Sequence, residues 1–134
     1  MEIRNIDSML KHAHRDSAAG IRLAKTAGDD VTAMFVAEID PHTKLRAHHH
    51  MSGDEIYVIL DGHGVMHTRE AHPVNEQRVI PPVISTAVAA DDVFTIKPGV
   101  IHSLENTGDT PMRALFICPE SHVGADRFFT EELS

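Results

Sequence analysis

Between residues 21 and 118 the chain is cut into short apolar runs by Gly, Pro, Asp and Asn, and none is long enough to carry a helical crossover. The runs are IRLAK (21–25), VTAMFVAEI (31–39), KLRAHHH (44–50), EIYVILD (55–61), VMHTRE (65–70), VISTAVA (83–89), DVFTIK (92–97), IHSLEN (101–106) and MRALFIC (112–118). They are rich in Val, Ile, Phe and Thr, which suit a pleated, half-buried surface. DGHG (61–64), KPG (97–99) and NTGDTP (106–111) punctuate them with turn residues. Parallel neighbours need a long connection, so about nine strands on short links predict an all-β antiparallel sandwich or barrel. Helical patterning is confined to the ends, in NIDSMLKHA near the start and GADRFFTEEL (124–133) at the close. The stretch EAHPVNEQRVIPP (70–82) reads as a loop, because its paired prolines suit no central strand.

A chain of 134 residues with no repeat, linker or low-complexity tract is one domain, spanning 1–134. Without tryptophan and with one tyrosine, its core must be mostly aliphatic. The formal charge is −8 and no Lys/Arg run occurs, which argues against nucleic acid or an anionic membrane as a partner. Cys118 is the only cysteine, so neither an internal disulfide nor a cysteine-rich zinc module is available. It closes an apolar strand and reads as a buried, inert thiol. The polar N-terminus does not resemble a signal peptide, and no apolar run reaches transmembrane length. A reducing cytoplasm is the expected location. The compositional oddity is eleven histidines.

Three of them stand together at 48–50. Side chains alternate faces along a strand, so His48 and His50 share one face and His49 takes the other. Two imidazoles at this spacing can bind one ion. Glu55 opens the next strand, and Tyr57 and Ile59 lie on its face. A hairpin at Gly62-His63 would set Ile59 opposite Met66 and Tyr57 opposite Thr68, leaving His67 outside. A further ligand must come from far along the chain, and KPGVIHSLEN offers His102 just after a Pro-Gly turn. Arg46 and Lys44 share the face of His48 and His50, where a cation could meet a substrate carboxylate. Thr68 would line the wall.

These residues carry a resemblance. HHHMSGDEIYVILDG looks like the first cupin motif, with His48 and His50 one apart, Glu55 five further on and Gly62 seven beyond that. DDVFTIKPGVIHSLENTGDTPMRALFI resembles the second, through Pro98, Gly99, His102 and Asn106. The chain resembles a small single-domain, conserved-barrel cupin over about residues 31–118. It departs from the pattern at His42 and Asp91, where glycine usually opens each motif, and at Lys97, where proline is usual.

The resemblance implies a double-stranded β-helix, or jelly-roll barrel, with short terminal helices. It also implies one divalent metal held by His48, His50, Glu55 and His102. Three imidazoles and a carboxylate suit Mn, Fe, Co, Ni, Cu or Zn better than Ca or Mg. In a six-coordinate ion two positions would remain for water or substrate, as a catalytic metal requires. The implied activity is isomerase, lyase or dioxygenase chemistry on a small polar acid or sugar-like molecule. In it the metal acts as a Lewis acid. Tyr57, by its place on the face of Glu55, is either an aromatic core filler or the candidate general acid or base. The alternative is a non-catalytic metal or small-molecule sensor. His12, His14, His42, His63, His72 and His122 read as solvated loop histidines. Exposed sheet edges predict a homodimer that covers them.

Overall fold

Along Glu55–Asp61 burial alternates residue by residue, with Glu55, Tyr57 and Ile59 inside and Ile56 and Val58 partly outside. That period of two makes the segment a strand with one core face. The computed structural model describes residues 1–17, 19–70, 80–131 and 133. Its elements are α1 (Ile6–His12), β1 (Arg15–Asp16), β2 (Ile21–Gly28), β3 (Ala33–Ile39), β4 (Thr43–Lys44), β5 (His48–His49) and β6 (Glu55–Asp61). There follow β7 (His63–Glu70), β8 (Ile84–Ala89), β9 (Val93–Ile96), β10 (Val100–Asn106) and β11 (Met112–Cys118), then a 3₁₀ turn (Glu120–Val123) and β12 (Phe128–Phe129). The strands form two antiparallel sheets, ordered β1-β2-β3-β11-β6-β9 and β12-β5-β10-β7-β8, with β4 on β10. This is the expected all-β double-stranded β-helix.

The core lies between the sheets. Phe35, Ile39, Ile59, Met112 and Phe116 from the first meet Met66 and Leu104 from the second. Phe35 and Phe116 stack with ring centroids 5.4 Å apart. At the start, the Asn5 side chain caps α1 by accepting from the Ser8 amide at 3.0 Å, and Leu10 is its buried anchor.

The expected hairpin at Gly62-His63 is not present. β6 pairs with β11 and β9, whereas β7 pairs with β10 and β8, so Gly62 is a corner between sheets. Tyr57 therefore faces Phe116 and Phe94 across its ladders, and Thr68 faces His102 and Ile84. Two apolar inner faces bury more by facing each other than by lying side by side in one sheet, and that non-local gain overrides the local turn signal. Gly62 has φ 90°, and a Cβ there would meet the Met112 backbone at 3.2 Å. His67 lies on the outer face as expected, between Glu105 at 3.0 Å and Ser85 at 2.8 Å.

The expected C-terminal helix is also absent among the described residues. Residues 124–131 instead turn and then lie along the edge of the second sheet, where Phe128 pairs with His49 and Phe129 with His48. A bare strand edge offers backbone partners that an isolated ten-residue helix cannot match. Of the loop expected at 70–82, Glu70 instead closes β7, and 71–79 lie outside the described residues.

His42 (φ 53°) and Asp91 (φ 76°) are the non-glycine residues with left-handed backbones among the described residues. They are the two positions where glycine would be usual in the motif resemblance. The turn geometry is kept although the residue that adopts it freely is not, at about 1 kcal/mol or more each.

Asn106, fully buried at the end of β10, ties three segments together. Its Nδ2 donates to the carbonyls of Ile39 (3.1 Å), Asp40 (3.1 Å) and Thr110 (2.9 Å), and its Oδ1 accepts from the Gly108 amide at 2.9 Å. Asn106→Ala should cost roughly 3 kcal/mol, because buried carbonyls and an amide lose their partner. Asn106→Asp should cost at least as much, since it sets oxygen against three carbonyl oxygens. Urea denaturation midpoints measure both, and unchanged midpoints would contradict this role.

Candidate metal centre

β5 and β10 lie side by side with His48 opposite His102, and His50 follows at the end of β5. The turn after it returns the chain to place Glu55 at the head of β6. One ligand-type atom from each of His48, His50, Glu55 and His102 lies within 4.8 Å of every other. His50 Nε2 is 2.7 Å and His102 Nε2 is 3.4 Å from Glu55 Oε2. His50, Glu55 and His102 are at most 3% exposed.

Backbone carbonyls set the ring tautomers. Nδ1 of His48 donates to the Arg46 carbonyl (3.1 Å), that of His102 to Val100 (3.0 Å) and that of His50 to Asp126 (2.6 Å). A carbonyl only accepts, so each Nδ1 holds a hydrogen, and a neutral ring presents a bare Nε2 lone pair. Two of those nitrogens, on His50 and His102, are buried without a hydrogen-bond partner, as is Glu55 Oε2. Lone pairs facing one another at these distances call for a positive charge between them. A divalent ion satisfies the donor set, and ligating histidines characteristically donate their other ring nitrogen in this way.

Burial, and then the neighbouring His102, lower His48 to about 3, so its ring is neutral at ordinary pH. For Glu55 burial favours the neutral acid, yet the imidazoles of His102, His122 and His50 outweigh it and hold the carboxyl well below its usual range.

A fourth histidine beside Glu55 was not legible as a site residue. His122, read from the sequence as a solvated loop histidine, is 2% exposed. Its ring stacks on His50, with centroids 3.9 Å apart and planes 2° from parallel. Its Nε2 donates to the Ser52 carbonyl at 2.6 Å, and its Nδ1 lies 3.7 Å from Glu55 Oε2 with no hydrogen-bond partner. Burial lowers its basicity, but Glu55, the Ser52 carbonyl and Asp126 more than offset that and raise it. Asp126 accepts from the Met51 (2.8 Å) and Ser52 (3.1 Å) amides, closing the turn between His50 and Glu55. Nothing in the spacing of His122 or Asp126 marks them, because both act across about 70 residues of chain.

A cupin-domain family profile matches residues 35–118. The chain belongs to the cupin family. This cupin is similar in fold to an uncharacterized double-stranded β-helix protein from Klebsiella pneumoniae, at 19% identity and TM-score 0.72, covering 98% of each chain. It is also similar to the capsular polysaccharide assembling protein CapF from Staphylococcus aureus (25% identity, TM-score 0.69), covering 89% of this chain and 34% of that one. It thus spans about a third of CapF. A predicted oxalate decarboxylase from Thermotoga maritima matches at 23% identity and TM-score 0.57, over 82% of this chain and 81% of that one. No curated protein sequence matches it significantly. No helix among the described residues is long and apolar enough to cross a membrane.

Within the barrel of this cupin, a cavity of about 90 Å³ adjoins the cluster. His48, Glu55, Tyr57, His122 and Arg127 supply its polar lining, among aliphatic side chains such as Leu23 and Leu104. Tyr57 is buried between Phe94 (5.2 Å) and Phe116 (5.8 Å), edge-on to His102 at 6.1 Å. Burial first, and then the charge of Glu55, raise its hydroxyl well above the ordinary tyrosine range. Cys118 is buried too, its thiol pushed up to about 12 by burial and then Glu55.

Two sequence candidates lie elsewhere. Arg46 is exposed, its guanidinium 4.4 Å from the Phe129 ring centroid. Thr68 lines a separate cavity of about 410 Å³ with Met66, Thr86, Phe94 and Ile96. Both shifts follow from tertiary pairing: the C-terminal segment brings Phe129 over Arg46, and the Gly62 corner moves β7 off β6. His49 turns to the other face and stacks on Phe128 at 5.4 Å.

Removing the Asp126 carboxylate should loosen the turn that separates His50 from Glu55. In Asp126→Ala, hydrogen exchange at the Met51 and Ser52 amides should accelerate, and stability should fall by about 1–2 kcal/mol. Unchanged exchange at both amides would deny Asp126 that role.

Proposed function

We propose that this cupin binds one divalent transition metal through His48, His50, Glu55 and His102 and acts as a metal-dependent enzyme on a small polar organic molecule. What carries the reading is the arrangement of three imidazoles, each held by a backbone carbonyl so that Nε2 is free, around one buried carboxylate. The donor set suits Mn, Fe, Co, Ni, Cu or Zn. When bound, the ion supplies Lewis-acid polarisation of substrate oxygens.

The chain's own residues supply the rest. The aliphatic barrel wall excludes water and confines the ligand to a few heavy atoms. Tyr57 lines the same cavity as Glu55, and its raised basicity keeps the hydroxyl protonated, so it serves as a proton or hydrogen-bond donor. The exposed apolar residues Ile84 and Val93, on the edge strands β8 and β9, support a homodimer in which a partner covers them.

Elemental analysis should find about one metal ion per chain. His48→Ala and His102→Ala should remove most of it, whereas His49→Ala should leave it near the parent level. Chelation should lower the melting temperature, because an ion held only by the folded state stabilises it. Equal metal loss in all three variants would overturn the ligand assignment. Once a substrate is in hand, Tyr57→Phe should keep the metal and lower kcat about 10²–10⁴-fold if the hydroxyl transfers a proton. A change within about twofold would restrict Tyr57 to packing.

A further inference from the structure

On the outer face of the second sheet, turned away from the metal cluster, three side chains are joined in series. Ser85 Oγ lies 2.8 Å from His67 Nδ1, and His67 Nε2 lies 3.0 Å from Glu105 Oε2. We propose that they form a second, hydrolytic site for short-chain acyl esters, with Ser85 as nucleophile, His67 as general base and Glu105 as the positioning residue of that base. The proposal does not depend on the metal reading.

The direction of the hydrogen bonds is the first reason. A carboxylate only accepts, so Nε2 of His67 carries the hydrogen and donates to Glu105. In the neutral ring Nδ1 is then a bare lone pair, and the bond to Ser85 runs from the hydroxyl to the nitrogen. In this arrangement a base takes the hydroxyl proton while a carboxylate holds the ring and stabilises its cation.

Register and burial are the second reason. His67 stands opposite Ser85 on β8 and Ser103 on β10, and Glu105 lies two residues beyond Ser103 on the same face. The other charged groups there are Arg69, two residues along β7, and Lys44, opposite Glu105 on β4. The His67 side chain is 16% exposed, so the base is shielded from bulk water, whereas Ser85 is open to a substrate.

The surroundings indicate the substrate. Among the described residues β8 is the edge of its sheet. Successive residues of an antiparallel strand turn their amides alternately toward and away from the partner, so either Ser85 or Thr86 points its N–H away from β7. That amide can donate to the oxygen of a carbonyl attacked by Ser85. Val65 and Ala87, paired on the same face one step along, offer an apolar bed for a short acyl chain. Ile84, Ser85, Thr86 and Ala87 are all exposed, so little binding energy is available and the ester must carry a good leaving group.

Ser85 Oγ adds to the ester carbonyl as its proton passes to His67 Nδ1. The ester C–O bond breaks, the alcohol leaves with that proton, and the acyl group stays on Ser85. Water then adds to the acyl carbon and gives a proton to Nδ1, which returns it to Oγ as the acid is released. One ester and one water become one acid and one alcohol.

The test treats the purified protein with diisopropyl fluorophosphate and maps the modified residue by peptide mass spectrometry, alongside hydrolysis of 4-nitrophenyl acetate. Ser85 should be labelled in preference to the exposed serines Ser8 and Ser121. Ser85→Ala and His67→Gln should each slow ester hydrolysis about 10²–10⁴-fold, and His67→Gln should slow labelling of Ser85 as much. Glu105→Gln should slow both by at least about tenfold, and Glu105→Asp should recover part of the loss. Equal labelling of the three serines overturns the proposal. Hydrolysis undiminished in Ser85→Ala also overturns it and assigns the activity elsewhere, the metal centre included, since a metal-bound route leaves no acyl-serine. Glu105→Asp no better than Glu105→Gln removes Glu105 from its positioning role. Should His67→Gln fail to fold, the labelling pattern of the wild type decides by itself.

Discussion

A carboxylate almost wholly removed from water sits at the centre of this barrel, and the structure around it is arranged to keep it charged. Burying an ionised acid without compensation is prohibitive. Imidazoles surround Glu55 (His50 and His102 from the sheet opposite β6, His122 from the C-terminal segment), and their bare nitrogens facing the carboxylate call for a cation among them. Each ring is in turn held by a backbone carbonyl, so the site is oriented by main chain rather than by flexible side chains. Such a shell holds donor atoms in place whether or not anything is bound, which is what a preorganised site requires.

The site is assembled from both sheets and then closed by a third piece. Phe128 and Phe129 extend the sheet beyond β5, and Leu133 packs with Ala47 and Ile101 on its outer face. Lys44 reaches the Leu133 carbonyl at 2.7 Å, and the Thr130 amide meets the Ala47 carbonyl at 3.0 Å. Fold and chemistry are therefore coupled through one segment. The contacts that seal the sheet edge also deliver His122, Asp126 and Arg127 to the centre.

Two departures from the family pattern show how geometry outlasts residue identity. His42 and Asp91 keep left-handed turns without glycine, and neighbouring contacts hold them there. His42 is 2.7 Å from Asp109, and the Asp91 amide donates to the Ile59 carbonyl at 2.9 Å. The strain is local, and the ligand-bearing strands beside these turns are undisturbed.

What the sequence determined by itself was whatever depends on near neighbours in the chain. Alternating apolar residues set the strands, and the spacing of His48, His50 and Glu55 set which side chains share a face. Turn residues marked where each strand stops, and the ordered pair of motifs pointed to the family. Tertiary structure decided everything that turns on which strands meet. The Gly62 corner could pass for a hairpin, because a glycine turn serves either, and only the burial of two opposed faces selects the corner. GADRFFTEEL could pass for a helix, because a ten-residue segment holds no fixed structure of its own until a sheet edge offers it backbone partners. His122 could pass for a surface histidine, because its partners Ser52 and Glu55 lie about 70 residues away, and no local pattern encodes a contact made at that distance.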